Sequence, residues 1–179
     1  VTRYAVLLRA VNVGGRNKLP MATLRDLAAD LGYSDPATYV QSGNLVIGAT
    51  GTKPAAIEKR VAAALRDGPG LDVDVIVRSR AELAAAVKAN PFADIADDPA
   101  KMHISFLVSA PSPAKVKALD TAEFEPERFA VGKRCLYLWY PNGQGRSAMA
   151  AAPWNRRLGV AGTARNLRTV NKLIDMLAG

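Results

Sequence analysis

Arg9, Asn12, Gly14, Gly15 and Lys18 fall within ten residues of one another, in the run Arg-Ala-Val-Asn-Val-Gly-Gly-Arg-Asn-Lys. Arg9 closes the apolar run Arg3-Tyr4-Ala5-Val6-Leu7-Leu8, and Lys18 stands two residues before Pro20, a residue suited to the first turn of a helix. Glycine lets the backbone turn with positive φ and come close to a ligand. Cations, amide donors, bare backbone and a helix start together make a place for an anion. The spacing is not that of a nucleotide P-loop, because no Ser or Thr follows Lys18. A second polar group, Gln41, Ser42 and Asn44, surrounds Gly43 between two strand-like runs. Its bland reading is a hairpin turn whose polar side chains satisfy their own backbone.

Two further groups lie near the end of the sequence. Gly143-Gln144-Gly145-Arg146-Ser147-Ala148 has the lettering of a dinucleotide fingerprint. The context argues against one, since no acidic residue lies about twenty positions on and little strand follows. What remains is Ser147 as a helix cap, with Gly145 beside it as a candidate anion contact. Thr163, Arg165, Asn166 and Thr169 sit where a last amphipathic helix is expected to start, with Arg165, Arg168, Thr169 and Lys172 toward solvent or ligand. For catalysis the inventory is thin. His103 is the one histidine and reads as a sheet residue, and Cys135 reads as a buried strand position despite Lys133 and Arg134 beside it. Trp139, Tyr140 and Trp154 read as core rather than as stacking platforms. No catalytic set, metal site or cofactor is assigned, and one cysteine excludes an internal disulfide.

Charge is unevenly placed along the 179 residues, whose formal net charge is +8. Val1 to Arg25 holds five bases and no acid, Asp26 to Glu127 holds fifteen acids against ten bases, and Arg128 to Ile174 holds nine bases and no acid. If the two basic ends meet, they form one cationic face. No run is long enough to span a membrane, and the apolar start is too short for a signal peptide, so a cytoplasmic protein without a membrane partner is expected.

The elements that position these residues follow from periodicity. Met21, Leu24, Leu27 and Leu31 predict a helix from Pro20 to a stop at Gly32, and Ile57, Val61 and Leu65 predict another from Pro54 to about Arg66. Strands are expected at Thr38–Gln41, Asn44–Ile47 and Leu71–Arg78, the last with one face half exposed. Strand, helix, strand, strand, helix, strand is the order of the ferredoxin-like split unit, which brings the loop after Arg9 and the Gln41–Asn44 turn to one end of the sheet. After a short helix over Ala81–Ala89 and a turn-rich connector, the pattern restarts with strands at Met102–Val108, Phe129–Val131 and Cys135–Tyr140. Helices are expected at Pro113–Leu119, Ser147–Leu158 and Asn166–Leu177, with only Gly159–Gly162 left for a final strand. The predicted architecture is α+β and two-layered, with two consecutive ferredoxin-like (split β-α-β) units, the second less regular. The expected divisions are a first unit over 1–90, a connector over 91–101 and a second unit over 102–179.

Leu-Leu-Arg-Ala-Val-Asn-Val-Gly-Gly with Lys18 and Met21, Tyr39-Val-Gln-Ser-Gly-Asn44, Asn90-Pro-Phe92, Tyr140-Pro-Asn-Gly-Gln-Gly145 with Ser147, and Thr163-Ala-Arg-Asn166 with Thr169 occur in that order. With these residues the chain resembles, over nearly its whole length, the bacterial family catalogued as domain of unknown function 1697. That resemblance implies an α+β protein of about this length with no assigned activity. Ala10 stands where the family usually has Gly, and Leu167 where it usually has Trp, so the last helix lacks that ring for stacking. The function expected is binding of a phosphate-bearing ligand, nucleic acid foremost, through a basic face. The alternative is an enzyme acting on a phosphorylated small molecule between the two units, with Ser42, Ser147 or His103 moving the proton.

Overall fold

The computed structural model describes residues 1–179. They cluster into two compact units, one formed by Val1–Ala84 with Lys172–Gly179 and the other by Ala85–Asn171. Each holds a four-stranded antiparallel sheet with helices. The chain is therefore α+β, with two consecutive ferredoxin-like units.

The first unit contains β1 (Thr2–Leu8), α1 (Met21–Asp30), β2 (Ser34–Thr38), β3 (Asn44–Ala49), α2 (Pro54–Asp67) and β4 (Val75–Ser79), followed by α3 (Arg80–Lys88). Its strand order is β2-β3-β1-β4. α1 ends as the sequence suggests. Gly32, at φ 84°, donates to the Ala29 carbonyl, and Tyr33 donates to Ala28, the two bonds that close a Schellman cap. α2 begins with Pro54 in its first turn and buries Ile57, Val61 and Leu65 against the sheet. Val6 and Leu8 of β1, Leu45 and Ile47 of β3, and Val77 of β4 complete that core with Leu24 and Ala28 of α1. Each fully buried side chain of this size contributes about 1.5–3 kcal/mol.

Two strands differ from the sequence expectation. β2 is Ser34–Thr38 rather than Thr38–Gln41. Pairing with β3 ends at Thr38–Leu45, because Val40 turns to φ 49° and Asn44 folds back on the Tyr39 carbonyl. β4 starts at Val75 rather than Leu71, since its register against β1 ends at Leu8–Val75 and no strand lies beyond to pair with. Val75, Ile76, Val77 and Arg78 are all buried, so β4 does not have the half-exposed face that its alternation suggested. As the outer strand it leaves backbone donors unpaired, and Glu58 of α2 accepts from the Val77 N–H at 2.9 Å.

The second unit contains β5 (Met102–Leu107), α4 (Pro113–Lys117), β6 (Arg128–Val131), β7 (Cys135–Trp139), α5 (Ala148–Ala151), α6 (Trp154–Leu158) and β8 (Gly162–Asn166), and β8 runs straight into α7 (Leu167–Met176). The order β6-β7-β5-β8 repeats that of the first unit. Leu107, Leu136, Leu138, Tyr140, Met149 and Leu158 form its core. The irregularity is in the helices. The segment expected as one helix over Ser147–Leu158 is two short ones, because Pro153 has no N–H to continue the ladder. The final strand is complete. Thr163 to Asn166 pair with β5 residue by residue, so Thr163 and Arg165 lie in the sheet and not at a helix mouth.

Candidate functional site

The chain between β1 and α1 is a small hairpin of its own. The Arg16 N–H donates to the Val13 carbonyl at 2.9 Å, and the Asn12 N–H donates to Asn17 at 3.1 Å. Gly14 and Gly15 between them have φ of 58° and 73°. A tight turn with both central residues at positive φ is type I′, which explains the glycine pair. A Cβ at either glycine would meet nothing within 4 Å, so conformation, not crowding, selects glycine there.

Asn12 fastens this hairpin to the turn before β3. Its Nδ2 donates to the carbonyls of Leu19 at 2.9 Å and Gln41 at 2.7 Å, and its Oδ1 accepts from the Leu19 N–H at 2.8 Å. Both amide hydrogens are used, so Asn12 positions the loops and has none left to donate to a ligand. The turn is held from its other side by Asn44, which is fully buried and donates from Nδ2 to the Tyr39 carbonyl and to Ser42 Oγ, each at 3.0 Å. Gly43 lies against β1, where its carbonyl accepts from the Leu8 N–H at 2.9 Å. The expected meeting of the two polar loops at one end of the first sheet is present, with Asn12, Ser42 and Asn44 serving as its scaffold.

The side chains left at the surface of this junction are Arg16, Lys18 and Gln41, all exposed. Arg9 is turned aside. Its backbone N–H donates to the Asp74 carbonyl at 3.0 Å, and its guanidinium lies 3.3 Å from the Asp74 carboxylate. Both partners are about two-fifths exposed, at 40% and 44%, so the pair adds at most about 1 kcal/mol. Arg9, Ala10, Asn17, Asp72, Val73 and Asp74 line a cavity of about 350 Å³. These two aspartates belong to the acidic middle of the sequence, so the site is not the acid-free neighbourhood that segment charges suggested. Asp72 also lies 3.8 Å from Arg66.

Backbone strain is concentrated here. Ala10, Asn12, Asn17 and Val40 all have φ between 49° and 56°. Non-glycine residues rarely take this conformation, and for a β-branched residue such as Val40 it costs about 1–3 kcal/mol. Val40 and Val13 are also half or more exposed, at 50% and 59%. Neither valine nor Arg16 stands out in the sequence as a contact residue, because a valine or an arginine in a loop carries no pattern that reports its exposure or a left-handed backbone.

The remaining candidates belong to the second unit. Ser147 caps α5, accepting from the Ala150 N–H at 3.0 Å, while Gly145 is exposed in the loop before it. Asn166 caps α7, accepting from the Thr169 N–H at 3.0 Å, and Thr169 is buried. Arg165 is only 7% exposed and does not face solvent. It donates to Thr163 Oγ1 at 2.7 Å and to the Ala164 carbonyl at 2.9 Å, and burial pushes its pKa down to about 10. His103 is buried in β5, edge-on to Tyr140 at 5.2 Å. Burial holds its imidazole below the usual value of 6.5, and Nδ1 has no hydrogen-bond partner. Cys135, Trp139 and Tyr140 are buried as expected, and Trp154 packs on Phe129 and Phe124 beneath the Arg157 guanidinium. No group of three or more His, Cys, Asp or Glu residues is arranged to hold a metal ion, and no helix is long and apolar enough to cross a membrane.

Comparison with known proteins agrees with the resemblance in the motifs. The chain belongs to the family described as Protein of unknown function (DUF1697), whose model matches residues 1–137, a span that takes in the whole loop junction of the first unit. A conserved bacterial protein from Streptococcus pneumoniae has a similar solved structure, with a TM-score of 0.74 and 24% identity over 98% of each chain, a likeness of fold. No curated protein matches the chain.

Proposed function

We propose that this member of the family binds a phosphate-bearing ligand, nucleic acid foremost, at the junction of the Arg9–Lys18 loop with the Gln41–Asn44 turn. The observation that carries the reading is the strained backbone locked there beside exposed cations. Three of the five non-glycine residues with positive φ lie in the Arg9–Lys18 loop and a fourth, Val40, directly precedes the Gln41–Asn44 turn, near Arg16 and Lys18, whose side chains are exposed and make no ion pair. Strain of this kind persists only where the surroundings hold it, and it gathers at ligand clamps. Residues of alternating backbone hand also turn successive N–H groups toward one concavity, which suits phosphate oxygens. The repeated architecture supplies a contrast. The second unit links β5 to α4 through Val108–Ser112 alone, whereas the first spends Arg9–Pro20 on the corresponding link. The extra chain adds little to the core, since only Val11 and Leu19 of it are buried.

Fluorescence anisotropy of labelled oligonucleotides at two salt concentrations tests this. Binding that weakens with salt is expected. The double variant Arg16→Ala/Lys18→Ala should lower affinity and flatten the log–log salt slope by about 1.4 for a single strand, about 0.7 for each phosphate no longer neutralised. If the wild-type protein binds no oligonucleotide at low salt, or the variant binds as tightly as wild type, the reading fails.

A further inference from the structure

A purely phosphate-directed loop has no use for exposed hydrocarbon, yet Val13 and Val40 stand out of this one at 59% and 50% exposure. Both flank the same hydrogen bond. Asn12, next to Val13, donates to the carbonyl of Gln41, next to Val40, at 2.7 Å. That bond fixes the two valines on neighbouring segments, and Gln41 extends an exposed carboxamide beside them. Arg16 closes the same turn as Val13 through its N–H. A ligand covering this surface meets cations, an amide and two aliphatic side chains together.

Duplex DNA keeps the flat faces of its bases stacked inside and offers phosphates and groove edges outside. A single strand can turn a base out, place its apolar face on protein hydrocarbon and present its edge to an amide while its phosphates meet cations. An anionic membrane surface also combines charge with apolar material, but segments that lie in membranes carry Trp, Phe or Leu at the interface. This junction carries only valines. Resting on the phosphate-binding reading above, we infer that the ligand is single-stranded nucleic acid, with an unstacked base against Val13 and Val40 and its edge at the Gln41 carboxamide. Val40 then keeps its left-handed backbone because the turn presents its side chain outward. The site selects strands with accessible bases over paired ones.

The test compares four labelled probes on the full chain: a single strand of about twelve nucleotides, within the span a small single-strand site covers, an abasic strand of equal length, the matching duplex, and vesicles of phosphatidylserine and phosphatidylcholine. The single strand should bind several-fold more tightly than the abasic strand, the effect of covering the two valine side chains with one base. In the double variant Val13→Ser/Val40→Gly this gap should close. Val40→Gly relieves strain and Val13 is exposed, so the variant is expected to stay folded, and its circular dichroism and melting temperature verify this. Equal binding of normal and abasic strands overturns the inference while leaving phosphate binding intact. So does vesicle binding that disappears in the valine variant while the oligonucleotides do not distinguish it from wild type. Absence of binding to every nucleic-acid probe defeats both this inference and the reading on which it rests.

Discussion

Gly43 is held by crowding as well as by conformation. A Cβ there would sit 2.8 Å from Leu8 Cβ, on a backbone at φ 79°. Neither atom can move without shifting β1 or the turn, so Gly43→Ala should cost about 2 kcal/mol or more, measured by urea unfolding. Gly14→Ala meets only the conformational penalty, about 1 kcal/mol. A result in which the two substitutions cost the same would show that the turn does not press on β1 as described. His103 provides a second measurable residue. Its imidazole titrates below 6.5 in the folded chain, so in the interval beneath that value the unfolded chain takes up a proton that the folded chain refuses. The stability that the neutral ring contributes is complete above pH 6.5 and is lost as pH falls through this interval. Melting temperature should therefore drop on the acid side, and His103→Gln should make that drop shallower. Identical profiles for the two proteins would exclude His103 as the source.

At the level of elements, α1 and α2 were legible because Leu24, Leu27, Ile57, Val61 and Leu65 carry helical spacing and Gly32 and Pro54 mark the ends. β8 was not legible. Its residues Thr163 and Arg165 are buried by sheet register and by hydrogen bonds, and no hydropathy pattern reveals a buried arginine. The convergence of the two loops could be read, since the ferredoxin-like strand order dictates it. The division of labour inside the junction could not. Whether Asn12 faces a ligand or the Gln41 carbonyl depends on the backbone closing to 2.7 Å, which residue type does not encode. Asn12→Ala removes three hydrogen bonds and leaves backbone groups unpaired. It should cost about 1–3 kcal/mol and speed tryptic cleavage after Arg16 as the hairpin comes loose. Unchanged cleavage and stability would mean that the junction holds without its staple.

Across the whole molecule, a net charge of +8 says less than where the acids return in space. Asp74 brings a carboxylate from the acidic middle of the chain to Arg9, 3.3 Å away, and so occupies a cation that the sequence offers to ligand. Asp74→Asn should release Arg9, raise oligonucleotide affinity severalfold and steepen the salt slope by about 0.7. A drop in affinity instead would identify Asp74 as a support of the site rather than a competitor. The two units also differ in how the chain supplies them. The first is built from Val1–Ala84 together with Lys172–Gly179, and Arg80 donates from Nε to the Ile174 carbonyl at 3.3 Å. During synthesis, which proceeds from the N-terminus at about 5–20 residues per second, the unit that starts first must finish last. The second unit, continuous from Ala85 to Asn171, has its whole sequence earlier than its predecessor does. A chain ending before Lys172 would thus hold the whole sequence of the second unit and an incomplete first one, with the strained loop junction on the part still lacking its final turn of helix.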